Sequence, residues 1–279
     1  MHPWILITGA NSGIGADAAR YLHERGFGII ACMRKIPADA PALPRFHRIQ
    51  LDVTKPDTIE AARNAVIALN LEGPFHLLNN AGIAVAGPVE GLSDERWREQ
   101  FDVNVFGLLA VTRAFLPLVR KTKGRIVNVS SISGIFASPY LGAYAASKFA
   151  VEALTDALRR EVVNAGIEVC LIEPGPIATP IWEKNLKEKD ALLASFGPEI
   201  HAHYAADMDR FAGVVEDSAK HALPVVRVSE AIHRALTARR PKARYPVLAR
   251  AAVWQIALIT RLPGRMVDRL VMKGFGRDL

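Results

Sequence analysis

Cysteine is scarce in this chain: only Cys32 and Cys170 occur among 279 residues, each inside an apolar run. Two isolated cysteines exclude a disulfide framework and read as buried free thiols, as suits a reducing compartment. No Gly/Ser-rich linker or low-complexity stretch interrupts the sequence, so nothing divides it into separate domains. The most continuous apolar run of the C-terminal part, Ala251–Ile259, is broken by Gln255 and falls well short of the ~20 residues a spanning helix needs. The first residues enter an apolar strand pattern at once, Trp4-Ile5-Leu6-Ile7, leaving no room for the regions of a signal peptide. A cytoplasmic location is the expectation. His201 and His203 form a His-x-His for which no third ligand is suggested, so no metal site is expected.

What is present is apolar bulk. Half of the residues are hydrophobic, enough to bury a large core, and the length suits one α/β domain. The net charge of +7 is unevenly placed: from Arg227 to Leu279 there are twelve Lys/Arg against three Asp/Glu, and the rest is close to neutral. No nucleic-acid motif accompanies the basic tail, so nucleic acid is not an expected partner. Its apolar residues Trp254, Ile256, Leu258 and Ile259, near Arg250 and Arg261, leave two readings open. They form either ordinary solvated helix faces or a peripheral contact with an anionic membrane surface.

Short apolar runs recur between helical patterns: Trp4–Ile7, Gly28–Cys32, Phe46–Leu51, Phe75–Leu78, Arg125–Val129, Ile167–Ile172 and a weaker Arg244–Leu248. Most lack polar alternation, as strands buried on both faces do. Strand followed by helix, repeated, predicts a single α/β domain of Rossmann type, a doubly wound parallel sheet of about seven strands flanked by helices. Right-handed crossovers then place the C-terminal end of the first strand at the sheet centre, where ligands bind.

Directly after the first strand comes Thr8-Gly9-Ala10-Asn11-Ser12-Gly13-Ile14-Gly15, leading into an apolar-periodic helix. Glycines there permit a tight turn and a close approach of pyrophosphate to free backbone N–H groups at a helix N-terminus. At the end of the second strand, where a ribose-binding acid would favour NAD, the sequence has Met33-Arg34-Lys35. Without a carboxylate to repel a 2′-phosphate and with two cations to pair with it, NADP(H) is favoured over NAD(H). Asp52, with Val53 beside it, ends the third strand and suits an adenine amino group; it could equally cap the helix beginning near Pro56. Asn79-Asn80-Ala81-Gly82 ends the fourth, with amides to bond backbone and small residues to leave space for a ribose.

One long helix is predicted from Ser93 to Thr122, and within it Asn104 is an amide among apolar neighbours. It serves either as a buried structural hydrogen-bonder or as a water holder. Tyr144 and Lys148 stand four apart in a helix predicted from Gly142 to Val163, so phenol and ammonium share a face. A nearby cation favours the phenolate, which would bring the tyrosine toward proton transfer near neutrality.

The motifs TGANSGIG at 8–15, LDVT at 51–54, NNAG at 79–82, Asn104 in NVFG, NVSSISG at 128–134, YAASK at 144–148 and PGPIAT at 174–179 together resemble the compact short-chain dehydrogenase/reductase superfamily. The resemblance implies an oxidoreductase with a tetrad of Asn104, Ser131, Tyr144 and Lys148. Ser131 is chosen over Ser130 because it lies thirteen residues before the tyrosine. Tyr144 would be the acid/base and Ser131 would polarise a substrate carbonyl. Lys148 would lower the tyrosine pKa and hold the nicotinamide ribose, and Asn104 would anchor a water. The cofactor would lie along Gly9, Asn11, Ser12, Gly13, Ile14, Gly15, Asn80, Ala81 and Gly82, with Pro174, Gly175 and Ile177 against the nicotinamide and Thr179 toward the pyrophosphate. Arg34, the Arg-Tyr-Pro at 244–246 and the extended C-terminus look most like the steroid and retinoid dehydrogenase branch.

Residues 181–226 stand where that family places a substrate lid, and Trp182, Leu186, Leu192, Leu193, Phe196, Tyr204, Met208 and Phe211 make them apolar. Residues 227–279 carry a last helix and strand, then two amphipathic segments at 250–261 and 263–273. The expectation is an NADP(H)-preferring enzyme, NAD(H) being possible, that interconverts a secondary alcohol and ketone on a hydrophobic, fairly bulky substrate. It would be a homo-oligomer, dimer or tetramer. The rivals are an NAD-dependent alcohol or retinoid-type dehydrogenase and a non-catalytic nicotinamide sensor.

Overall fold

The computed structural model describes residues 2–39 and 41–275, leaving the side chains of 182–188, 250, 251, 254 and 257 outside that description. Trp182, Leu186 and Trp254 are therefore not placed.

Seven strands form one parallel sheet: β1 (Trp4–Thr8), β2 (Gly28–Met33), β3 (Phe46–Gln50), β4 (Phe75–Asn79), β5 (Arg125–Val129), β6 (Glu168–Pro174) and β7 (Arg244–Val247), in the order β3-β2-β1-β4-β5-β6-β7. All seven predicted runs are strands, with no end moved by more than two residues and β5 as predicted. β1, β2 and β4 are buried at every position, which is why their sequences run apolar without alternation. The edge strands differ. β3 is only partly buried, and β7 carries an exposed proline, Pro246, tolerated where one side of the strand has no ladder to complete.

The helices are α1 (Gly13–His23), α2 (Pro56–Ala68), α3 (Asp94–Phe101), α4 (Leu108–Thr122), α5 (Gly142–Glu161), α6 (Ile181–Ala194), α7 (Pro198–Lys220), α8 (Val226–Thr237), α9 (Arg250–Ile259) and α10 (Gly264–Gly274). Alternate strand residues feed two cores, one on each face of the sheet. Ile5, Ile7, Ile29 and Ile172 pack with Ala18 and Leu22 of α1 and Val228 and Ile232 of α8. Leu6, Ile30, Leu77 and Ile126 pack with Ile59 of α2 and Val111 and Phe115 of α4. Each such large side chain, fully buried, contributes roughly 1.5–3 kcal/mol.

The helix expected over 93–122 is not uniform. Between α3 and α4 the backbone widens into a π-helical segment, Asp102–Gly107, the kind of local expansion that re-aims side chains at functional positions. By length and composition 94–122 could cross a bilayer; here Val111, Phe115 and Val119 are fully buried in the second core. At its far end Gly107 allows the close approach, since a Cβ there would fall 2.7 Å from Val53 Cγ2.

α6 and α7 form a helical pair over the region that precedes α5. Tyr140 Oη donates to Asp207 Oδ2 at 2.7 Å and Tyr204 Oη to Glu90 Oε2 at 2.9 Å, fixing α7 to two loops of the body. Leu193, Met208 and Phe211 pack with Ala86 and Leu141 beneath it. Tyr140 holds a left-handed φ of 64°, uncommon for a bulky residue; Gly87 N donates to its carbonyl at 2.8 Å, and Phe211 and Phe275 pack on its ring.

Candidate active site

The predicted dinucleotide residues meet at the C-terminal ends of β1, β2 and β4–β6, around a cleft of ≈ 500 Å³. Gly9 turns the chain at φ +65°, and a Cβ there would fall 2.9 Å from Ala81 Cα; at Gly15 it would fall 2.3 Å from Gly9 O. Only hydrogen fits at either place, so the loop from β1 lies directly against the loop from β4. Asn80 Nδ2 donates to the carbonyls of Thr8 (2.9 Å) and Gly9 (3.2 Å), and Thr8 Oγ1 accepts from the Asn80 and Ala81 N–H groups, both at 3.0 Å. At Gly13, φ +52°, a Cβ would fall 3.5 Å from Thr179 Cβ, which brings the residue predicted for the pyrophosphate side onto the N-terminus of α1. A loop pressed this close, with its helix N-terminus open to a cleft, fits a pyrophosphate.

Gly9, Asn11, Ser12, Gly13, Ile14, Met33, Arg34, Asp52, Val53, Asn80, Ala81, Gly82, Pro174, Gly175, Ile177 and Thr179 all line the cleft. Gly15 and Lys35 are outside that lining. Gly15 is spent on packing against Gly9, and Lys35 is exposed one residue beyond Arg34. Asp52 is not the cap of α2, whose N-cap is Lys55 with no side-chain bond. Its Oδ1 instead accepts from Thr54 N (3.0 Å) and Thr54 Oγ1 (2.8 Å), closing a local turn. Burial raises its pKa, but these bonds, with Arg34 and Lys55 nearby, outweigh burial and leave the carboxyl below its ordinary range.

Ser131, Tyr144 and Lys148 converge on the same cleft. Ser131, after β5, is extended; its Oγ accepts from Ser133 N at 3.1 Å and shares a hydrogen bond with Tyr144. Lys148 Nζ donates to Val129 O at 2.9 Å and lies 5.7 Å from the Tyr144 ring centre. Ser130 turns the other way, toward Glu152. The expected lowering of the tyrosine pKa by the lysine is corrected in the free protein: burial pushes the Tyr144 phenol up and the Ser131 bond only partly offsets it. Burial also pulls the Lys148 ammonium down to about 8, against the opposing field of Glu152.

Asn104 lies behind this trio rather than in the cleft lining. Its Oδ1 accepts from Ile83 N (2.9 Å), and its Nδ2 donates to Ile83 O (3.0 Å) and to Ser147 Oγ (3.1 Å). Of the two roles left open, the structural one is filled. Sequence reasoning missed its neighbour Gln100, wholly buried, whose Oε1 accepts from Val85 N (2.7 Å) and whose Nε2 donates to Ile83 O (3.0 Å) and Ser147 Oγ (3.3 Å). It missed Ser147 too, although the residue stands inside YAASK. A further buried ladder runs from Thr112 through Asn79 and Asn128 to Thr155, each step 2.9 Å. Its signal was there in the polar residues of otherwise apolar strands.

A second cavity of ≈ 310 Å³ lies beneath α6 and α7, lined by Ala86, Leu192, Met208, Phe211 and Val215; Arg96 lines both this chamber and the cleft. His201 and His203 are both exposed on α7. Among the described residues no group of three His, Cys, Asp or Glu is placed to hold a metal ion.

The family model described as short chain dehydrogenase matches residues 3–190. An uncharacterized oxidoreductase of Escherichia coli K12, YbbO, is 36% identical over 275 residues, 97% of this chain and 94% of that one. Human retinol dehydrogenase 5 is 34% identical, covering 96% of this chain and 87% of its own. A solved short chain dehydrogenase from Burkholderia cenocepacia J2315, in complex with NADP, superposes with a TM-score of 0.72 at 25% identity, covering 96% of both chains.

Proposed function

Since the chain belongs to the short-chain dehydrogenase family, an oxidoreductase family, we propose that it interconverts a secondary alcohol and a ketone, with NADP(H) preferred over NAD(H), on a hydrophobic and fairly bulky substrate. The observation that carries this reading is the convergence of Ser131, Tyr144 and Lys148 on a cleft whose other end is the glycine loop of β1. The NADP-bound relative supports the cofactor. Met33 and Arg34 line the cleft where a ribose-binding acid would select NAD, and Arg34 offers a guanidinium to a 2′-phosphate.

When bound, the nicotinamide supplies or accepts the hydride at the substrate carbon. In reduction, Tyr144 gives its proton to the substrate oxygen while Ser131 donates a hydrogen bond to it; in oxidation Tyr144 takes the proton back. Buried with a raised pKa, Tyr144 starts as the phenol, the form a reductase needs. Lys148, as an ammonium beside it, stabilises the phenolate left behind and would hold the nicotinamide ribose. Asn104 serves by position, joining the Ile83 backbone to Ser147 and so the β4 loop to α5.

The apolar chamber under α6 and α7 supports a bulky substrate, with residues 181–226 as its lid. An alternative is an NAD-dependent retinoid-type dehydrogenase, favoured by the likeness to human retinol dehydrogenase 5. A panel of secondary alcohols and ketones with both cofactors, followed at the nicotinamide absorbance, tests both readings. Turnover with NADP(H) and bulky apolar substrates is expected; turnover confined to NAD and retinoids would select the alternative, and none with either cofactor would reject both.

The proposal extends to a cytoplasmic homo-oligomer, dimer or tetramer, that touches anionic membranes through its tail. Arg261, Arg265, Arg269 and Lys273 repeat every four residues and are exposed beside exposed Met266 and Leu270. Salt-sensitive cosedimentation with anionic vesicles is expected; no binding at low salt would reject the contact.

A further inference from the structure

Lys148, Glu152 and Asp156 stand four residues apart on one face of α5, the first two buried. Arg244, the first residue of β7, reaches into this row. Its Nη2 lies 3.1 Å from Glu152 Oε2 and 3.0 Å from Asp156 Oδ1, and its Nε lies 3.2 Å from Glu173 Oε1. Glu173, on β6 immediately before Pro174, is 3% exposed. Three carboxylates thus meet one guanidinium directly behind the catalytic helix. The near side is closed by Gly134, where a Cβ would fall 2.8 Å from Ser130 Oγ, 3.0 Å from Glu152 Cγ and 3.1 Å from Lys148 O. Burial raises the Glu152 carboxyl, and the nearby Ser130 hydroxyl and the Arg244 guanidinium oppose that shift, although Ser130 Oγ makes no hydrogen bond among the described residues.

Such a cluster is a poor stabiliser, because desolvation offsets the attraction; its consequence is electrostatic. The charged and titratable groups packed around Lys148 and Glu152 are Tyr144 and Asp156 on α5, Glu173 on β6 and Arg244 on β7. β5 and the loop after it add the Val129 carbonyl and the hydroxyls of Ser130 and Ser131, and the π segment adds only the Asn104 amide by way of Ser147. Among the described residues, Glu152 is the charge that favours the ammonium of Lys148 against its burial. With carboxylates in excess they compete for the one guanidinium, and Glu173, pushed up to about 7 by burial and by Glu152, is the one that titrates near neutrality.

We propose that Arg244, Glu152 and Glu173 form a positioning network beneath Lys148: Arg244 keeps Glu152 ionised, and Glu152 in turn keeps Lys148 an ammonium. None of the three lines the cofactor cleft, so the network acts through Lys148 and not on substrate. Its effect on turnover rests on the oxidoreductase reading; its effect on Lys148 does not.

The test is therefore made on the free protein first. Lysine side chains are labelled with ¹³C at Cε, Lys148 is assigned by its loss in Lys148→Arg, and its resonance is titrated against pH. Titration near 8 is expected in the unsubstituted protein, about one unit lower in Glu152→Gln and Arg244→Gln, and restored in Arg244→Lys. Glu173→Gln, which removes a competitor for Arg244, shifts it up or leaves it. The alkaline limb of kcat/KM should follow, with activity in Glu152→Gln within about 2-fold at pH 6.5 and about 8-fold lower at pH 8.5, as one unit implies. An unmoved Lys148 titration in folded Glu152→Gln overturns the proposal. Should that variant not fold, a downward shift in Glu173→Gln, or loss of the ammonium in Arg244→Lys, overturns it equally. A shifted titration in a protein without dehydrogenase activity would uphold the network and reject the proposed function.

Discussion

Asn104 holds both backbone polar groups of Ile83, accepting from its N–H at 2.9 Å and donating to its carbonyl at 3.0 Å. The pairing joins the middle of the π segment to the loop after β4, and the remaining amide hydrogen ties both to Ser147 on the catalytic helix. Asn104→Leu keeps the volume and removes every bond. Each buried polar group left without a partner costs about 1–3 kcal/mol, and a chain of this size loses about 2–4 °C of Tm per kcal/mol. A melting curve should therefore drop by several degrees, with kcat falling further than the loss of folded protein explains. An unchanged melting temperature would show that the clamp is not carrying the loop.

Tyr144→Phe removes one oxygen from a buried ring. Positioned proton transfer contributes about 10²–10⁴-fold to rate, so kcat should fall by that range. Cofactor affinity, set by the glycine loop and Lys148, should stay within about 2-fold by fluorescence titration. Retained turnover would remove Tyr144 as the acid.

Against burial, the two Thr54 hydrogen bonds and then the Arg34 charge hold the Asp52 carboxyl down, and Arg34 and Asp52 both line the cleft. Met33→Asp combined with Arg34→Ala places a carboxylate where a 2′-phosphate would sit and removes its partner. A hydrogen bond to a charged group contributes about 1.5–3 kcal/mol, so the NADP/NAD ratio of kcat/KM should fall by about 10–100-fold. An unchanged ratio would release Arg34 from the phosphate role.

These residues were readable in advance because each belongs to a contiguous motif, Arg34 at the end of β2 and Asn104 and Tyr144 within helical runs, where one run of sequence supplies both backbone and side chain. Glycines 9 and 13 announce their positive φ, and β1, β2 and β4 announce their burial by lacking polar alternation. What could not be read is made of pairings across elements. Gln100 reaches the backbone of Ile83 and Val85 from a predicted helix in which only Asn104 drew notice as a buried amide, and the widened turn around Asn104 leaves no trace in periodicity. Arg244 reads as the start of a weaker apolar run until β7 sets it beside Glu152, 92 residues earlier. The sign of the Tyr144 shift was missed for a related reason: spacing gives the nearness of Lys148 but not the depth at which both are buried.

His76 gives the acid side of the stability curve. It is buried in β4, its Nδ1 accepts from Arg125 N at 2.9 Å, and burial, with Arg125 beside it, pulls its pKa down to about 4. The ordinary value is 6.5, so between 6.5 and about 4 the unfolded chain binds the extra proton and stability falls as pH falls. Glu173 works in the opposite sense. Its carboxyl titrates at about 7 when folded against 4.5, so the folded chain holds the extra proton in that window and stability falls as pH rises through it. His76→Asn keeps an acceptor for Arg125 N and removes the titration, and should flatten the loss of Tm from pH 6.5 to 4.5. Glu173→Gln should raise Tm by a few degrees at pH 8 and by less at pH 5. Melting curves across that range check both signs at once, and a His76→Asn curve parallel to the unsubstituted one would mean that the acid limb belongs to other groups.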